Sequence, residues 1–169
     1  MCACAVSSGA GAVIENVVFA TCAPGDSVLI PAPYYPAFNN DLTVRVGAKP
    51  WPVKASAYNP AGAYVPTVRD LDEAAAAATA AGAPPRMLLL THPHNPLGVV
   101  WPADAYAGIV KWGLKRGLHV VSDEVYALSI FDDAAQVRPR AAHARTDVMA
   151  LVPRRALCAD SCVRRRASS

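Results

Sequence analysis

At 169 residues, with 53% hydrophobic and 17% charged side chains, the chain has the composition of one globular domain and is unlike a disordered segment. Its apolar runs, such as Met87 to Leu90, fall far short of the ~20 residues that a membrane-spanning helix needs, and Met-Cys-Ala-Cys-Ala-Val lacks the basic and long apolar regions of a signal peptide, so the expected location is cytoplasmic. The net charge of +3 is unevenly spread: residues 1–137 carry eight basic against eleven acidic side chains, whereas residues 138–169 carry eight arginines against Asp147 and Asp160.

The elements follow in chain order. Ala12 to Cys22 has Val13, Val17 and Ala20 at helical spacing and ends at Pro24-Gly25, which predicts a first helix. Ser27 to Ile30 is a short apolar run of the kind buried in parallel sheets. Pro31 to Pro36, with three prolines in six residues, is expected to be a loop, because proline supplies no ladder donor. Thr43 to Val46 and Trp51 to Val53 suggest a second strand broken by a turn at Gly47 to Pro50, and Tyr58 to Pro66 reads as a surface connection. Thr67 to Asp70 has the pattern of a capping box opening an alanine-rich helix that ends at Gly82.

Met87 to Thr91 predicts the next strand, ending in the loop His92 to Gly98. Tyr106, Ile109, Val110 and Leu114 make a helical stripe on Ala103 to Arg116, with Gly117 placed to stop it. Leu118 to Ser122 is the last strand, followed by Asp123-Glu124-Val125-Tyr126. Alternation of this kind predicts an α/β fold, a three-layer αβα arrangement around a mostly parallel sheet. Ligands of such sheets bind beyond the carboxyl ends of the strands. There the sequence sets Tyr34 and Tyr35, then Asn95-Pro96, then Asp123 and Tyr126. Each has an ordinary structural explanation by itself: packing aromatic, turn former, helix cap.

Five cysteines, mostly near the two ends, make no disulfide framework. Cys2 and Cys4, Cys158 and Cys162, and His92 and His94 do not fall at the usual spacings of a structural zinc site, so no metal is expected.

Taken in order, Pro24-Gly-Asp26, Pro33-Tyr-Tyr-Pro36 with Phe38 and Asp41-Leu42, Asn95-Pro-Leu-Gly98 and Ser122-Asp-Glu-Val-Tyr126 resemble the fold-type I pyridoxal-phosphate enzymes of aminotransferase class I/II. Within these they are most similar to the 1-aminocyclopropane-1-carboxylate synthase-like branch. Ser8-Gly-Ala-Gly-Ala12 looks like the family's phosphate loop. The resemblance covers roughly residues 7 to 133 and implies that residues 1–137 are part of the family's large domain. It implies pyridoxal 5'-phosphate as cofactor, with Gly9, Ala10 and Gly11 at its phosphate. Asp123 would lie at its pyridine nitrogen, Asn95 and Tyr126 at its 3-oxygen, and Tyr35 on its ring face. It also implies an amino-acid-type substrate, with homodimers among full-length relatives.

The family's Schiff-base lysine is expected in a Ser-Leu-Ser-Lys-like segment, and nothing after Asp133 matches it; Lys49, Lys54, Lys111 and Lys115 stand elsewhere. The resemblance therefore implies a chain that grips the cofactor without catalysing alone. Residues 138–169 read as a basic, poorly ordered tail, like a truncated or out-of-frame end. Two alternatives stand beside this reading. One is a non-catalytic module needing a partner chain. The other is a nucleic-acid binder acting through the basic tail, which is disfavoured because the tail has no aromatic residue to stack on bases.

Overall fold

The computed structural model describes residues 6–56, 64–129 and 148–151. Five parallel strands, β1 (Ser27–Ala32), β2 (Lys49–Lys54), β3 (Pro85–Thr91), β4 (His119–Asp123) and β5 (Val148–Leu151), form one sheet in the order β2-β1-β3-β4-β5. Helices α1 (Ala10–Thr21) and α2 (Phe38–Thr43) cover one face, and α3 (Val68–Ala80) and α4 (Ala103–Lys115) the other. A short 3-10 turn, Ala127–Ser129, follows β4.

The side-chain period of two along the strands builds both layers. Ile14 and Val18 of α1, with Phe38 and Leu42 of α2, pack on Val28, Ile30, Met87, Leu89 and Val121. On the reverse face, Leu71 and Ala75 of α3 and Ile109 and Trp112 of α4 pack on Leu29, Leu88, Leu90 and Val120. Full burial of each such aliphatic side chain contributes about 1.5–3 kcal/mol. Contact at α4 is close enough that a Cβ on Gly113 would lie 3.0 Å from Val120 Cγ2 and 3.1 Å from Leu88 Cδ2.

The capping box of α3 forms as its sequence predicts: Asp70 N–H donates to Thr67 Oγ1 while Thr67 N–H donates to Asp70 Oδ2. Its far end closes on Gly82 at φ +68°, where Ala83 N–H reaches Ala78 O and Gly82 N–H reaches Thr79 O. Gly117 stops α4 in the same way, with φ +70° and Leu118 N–H bonded to Gly113 O.

Three expectations are corrected. Thr43 ends helix α2 and starts no strand, and β2 begins at Lys49, so Pro50 and Pro52 lie inside a strand. Lys49 N–H donates to Asp26 O, just before β1, and alternation therefore turns the nitrogens of Pro50 and Pro52 to the outer edge, where no ladder donor is needed. Pro31 also extends β1: its nitrogen faces β3, but the β1–β3 pairing has ended at Leu29. Finally, Val148–Leu151, within the segment expected to be unpacked, pairs with Val120–Asp123 as β5. A four-residue apolar run is too short to show a periodic stripe, yet it is sufficient for one edge strand. The rest of residues 130–169, with Cys158 and Cys162, and the N-terminal Cys2 and Cys4 lie outside the described residues.

Candidate active site

After β1 the chain goes outward to β2 and then crosses back to β3, which makes the carboxyl ends of β1 and β3 the point where the winding reverses and a crevice opens. Tyr34 and Tyr35 follow β1, the His92 to Gly98 loop follows β3, and Asp123 closes β4. Asn95 and Tyr126 line one cavity of about 260 Å³, together with His94, Gly98 and Ser129. Asp123 adjoins that loop, since it pairs with Thr91 and its carbonyl accepts from His92 N–H at 2.9 Å. A larger open cleft of about 510 Å³, around Cys22, Asp26 and Arg86, lies at the amino ends of the strands, and none of the site residues read from the sequence lines it.

Asp123 is 5% exposed, and among the described residues its carboxylate accepts only from Val125 N–H, at 3.3 Å. No cation pairs with it among the described residues. Burial pushes its carboxyl above the usual range, against the lowering effect of the Val125 hydrogen bond. Alternation from Val121, which packs on Ile14 and Val18, sets Asp123 on the α1 face of the sheet. Gly9, at φ +86°, begins α1 at this end, and no side chain caps the helix. The first-turn amides, those of Ala10 and Gly11 among them, are therefore left for an external acceptor. A Cβ on Gly11 would lie 3.4 Å from Asp41 Oδ1, so the turn is narrow as well as open. Burial, and then the nearby Glu15 charge, raise the Asp41 carboxyl above its ordinary value.

Tyr35 is 46% exposed, with its ring edge-on to Phe38 at 5.6 Å, whereas the Tyr34 hydroxyl is engaged with Asn39 Oδ1 at 2.9 Å. Tyr35 and the Gly9 to Gly11 turn share no hydrogen bond or ring contact with Asn95, Asp123 or Tyr126, so a bridging ligand would have to span the gap between the two groups. No set of three or more metal-ligating side chains is placed to hold an ion among the described residues, and none of their helices is long and apolar enough to cross a membrane.

Sequence reasoning left several groups without a role. His92 is fully buried. Its Nε2 accepts from Trp101 N–H at 2.9 Å, and burial lowers its pKa to about 4, so its proton sits on Nδ1 at neutral pH. His94 is buried as well, and burial lowers its pKa against the raising effect of the Pro31 backbone beside it. On the reverse face of β4, Tyr106, Ser122 and Glu124 form a buried chain: 2.5 Å from Tyr106 Oη to Ser122 Oγ, and 2.9 Å from Ser122 Oγ to Glu124 Oε1. The i, i+2 spacing of Ser122 and Glu124 was the available signal for that chain.

The fold is a layered α/β arrangement whose parallel sheet carries a buried aspartate, an asparagine and two tyrosines at its carboxyl edge. The family described as aminotransferase class I and II matches residues 2–159, and the chain belongs to that family, in its 1-aminocyclopropane-1-carboxylate synthase-like branch. It is 34% identical over 127 residues to 1-aminocyclopropane-1-carboxylate synthase 2 of Solanum lycopersicum, covering 75% of this chain and 26% of the relative. It is 38% identical over 126 residues to synthase 4 of Oryza sativa subsp. japonica, covering 75% and 25%. Among solved structures, an aminotransferase from Mycobacterium tuberculosis shares the fold with a TM-score of 0.67 at 24% identity, over 84% of this chain and 35% of that one. A PLP-bound putative aminotransferase from Clostridium difficile matches with a TM-score of 0.56 at 22% identity, over 70% and 28%. The chain spans about a quarter of the length of these curated relatives.

Proposed function

We propose that this chain binds pyridoxal 5'-phosphate at the carboxyl edge of the sheet, as the cofactor-holding portion of an aminotransferase-like enzyme that acts on an amino-acid-type substrate. The observation that carries the proposal is Asp123, a buried carboxylate that no cation pairs with among the described residues, on the same sheet face as the uncapped start of α1. Such a carboxylate is stabilised by a protonated ring nitrogen, and the open amides by a phosphate dianion. When bound, the cofactor supplies an electron-accepting ring.

In this reading the residues divide the work of holding it. Asp123 keeps the proton on the ring nitrogen, and Asn95 and Tyr126 hydrogen-bond the ring oxygen from the shared cavity wall. Tyr35 covers the ring face, and the amides of Ala10 and Gly11 anchor the phosphate at the turn that Gly9 forms, the Gly9 N–H itself donating to Ser7 O at 3.0 Å. Moving a proton at the substrate carbon requires a base, and the four lysines of residues 1–137 do not supply one. Lys49 opens β2, Lys54 ends it at the sheet's outer edge, and Lys111 and Lys115 lie in the second half of α4, which runs toward the amino ends of the strands. We therefore propose that residues 1–169 bind the cofactor without turnover, and that turnover requires the rest of a full-length, dimeric enzyme.

Titration of the protein with pyridoxal 5'-phosphate, followed by tryptophan fluorescence, tests the reading. Saturable binding is expected, weakened about 10- to 100-fold in Asp123→Asn, since a charge-assisted hydrogen bond becomes a neutral one. Equal affinity for wild type and Asp123→Asn would refute the assignment.

A further inference from the structure

We infer that Glu124 is a positioning residue for Asp123: from the reverse face of β4, at the end of the Tyr106–Ser122–Glu124 chain, it supplies a second negative charge that holds a protonated ring nitrogen against the Asp123 carboxylate. This inference rests on the cofactor reading above and deepens it.

The geometry comes from strand alternation. Asp123 faces α1, whereas Ser122 and Glu124 face α4, so two consecutive acids occupy the two sides of one strand end. Glu124 is 5% exposed, and among the described residues Ser122 is the one hydrogen-bond partner of its carboxyl. The Ser122 proton is committed to Glu124 Oε1, so the Tyr106 hydroxyl must donate to Ser122 Oγ. Both O–H dipoles then point toward the Glu124 carboxyl and support its anionic form, while burial and the Asp123 charge oppose that form. Balanced in this way, the carboxyl titrates at about 7.

The other groups that face it do not neutralise it. Tyr106 on α4 stays protonated, because burial raises its hydroxyl well above the ordinary range. His92, at the end of β3 with its ring 4.8 Å from that of Tyr106, is neutral at this pH. Strand β5, Val-Met-Ala-Leu, carries no titratable residue. A buried carboxylate beside a second carboxylate, with no cation paired to either among the described residues, is unfavourable. A cation held at Asp123 relieves both acids at once. The coupling is reciprocal, so an ionised Glu124 strengthens the hold on that cation.

The experiment compares dissociation constants for pyridoxal 5'-phosphate at pH 6 and pH 8 in the full chain and in Glu124→Gln. At pH 6 Glu124 is protonated and glutamine imitates it, so the two proteins should agree within about twofold. At pH 8 wild type should bind about three- to tenfold more tightly, the factor expected for one pKa unit or less of coupling. The free cofactor's own titrations are common to both proteins and cancel in the ratio. With ring-labelled ¹⁵N ligand, the bound nitrogen should keep its proton to higher pH in wild type than in the variant. Tyr106→Phe keeps the ring packing and removes the outer dipole. It should move the midpoint of the pH dependence upward, and it serves if Glu124→Gln does not fold. A wild-type to variant ratio equal at the two pH values, or an unmoved midpoint in Tyr106→Phe, would overturn the role of Glu124 while leaving the cofactor reading intact. Absence of binding by folded wild type at either pH would instead overturn the cofactor reading.

Discussion

Helices α1 and α3 both begin at the carboxyl edge of the sheet, and their ends differ. At α3 the chain satisfies itself: Thr67 and Asp70 cap the first turn reciprocally, and Asp70 takes a further hydrogen bond from Ser56 N–H at 3.2 Å. At α1 there is a glycine with positive φ, no capping side chain and no acidic residue in the first turn. A self-satisfied helix end contributes stability and has nothing left to bind an anion. The open one gives up about 1 kcal/mol of capping and keeps its amides and dipole for a ligand.

That contrast breaks most readily at α1. Ala10→Asp puts a carboxylate into the open first turn, where the helix should gain about 0.3–1 kcal/mol while the phosphate meets a like charge. The expected loss of affinity for pyridoxal 5'-phosphate is the largest effect, roughly 100-fold, or about 2.7 kcal/mol, measured by fluorescence titration alongside thermal unfolding. The opposite pattern is expected at α3. Asp70→Ala should lower unfolding free energy by about 2 kcal/mol in denaturant melts, with cofactor affinity within twofold of wild type.

The same aspartate gives a pH signature. Burial alone would push its carboxyl up, but the hydrogen bonds from Thr67 and Ser56 outweigh burial, and the net pKa is below the ordinary value. Its stabilisation is thus present above the unfolded-state pKa and lost as pH falls through the folded one. Asp70→Asn should flatten the decline in stability below about pH 4. Glu124 behaves with the opposite sign. Its folded pKa is raised to about 7, so its contribution is lost as pH rises from the unfolded value toward neutrality. Relative to Glu124→Gln, wild type should lose on the order of 2–3 kcal/mol across that window. The smallest effect belongs to the other end of α3, where Gly82→Ala forces a Cβ into a left-handed turn and should cost about 1 kcal/mol.

What the sequence made legible follows from how local each signal is. The cap at Thr67, the stop glycines at Gly82 and Gly117 and the apolar runs of β3 and β4 are decided within a few residues, and the structure has them where the pattern puts them. Helix α2 was hidden because six residues, Phe-Asn-Asn-Asp-Leu-Thr, show no full period and end next to a β-branched valine. Trp51 to Val53 was legible as strand, but the Lys49–Pro50 start of β2 was hidden because whether a proline is tolerated depends on which side of the strand is empty, a fact of the sheet and not of the segment. Ser122-Asp-Glu reads in one dimension as a single acidic motif, and only pleating divides it into a site-facing and a reverse-facing carboxyl.

The prolines of β2 also direct how this sheet can grow. Along its outer edge the positions that would donate to a neighbouring strand are occupied by Pro50 and Pro52, with Lys49 and Lys54 at the two ends. An incoming strand would find carbonyls with a donor at Lys54 alone and a charge at each corner, so the edge resists both accidental aggregation and deliberate extension. The sheet is in effect terminated on the β2 side, and any further strand of a larger domain must be added beside β5.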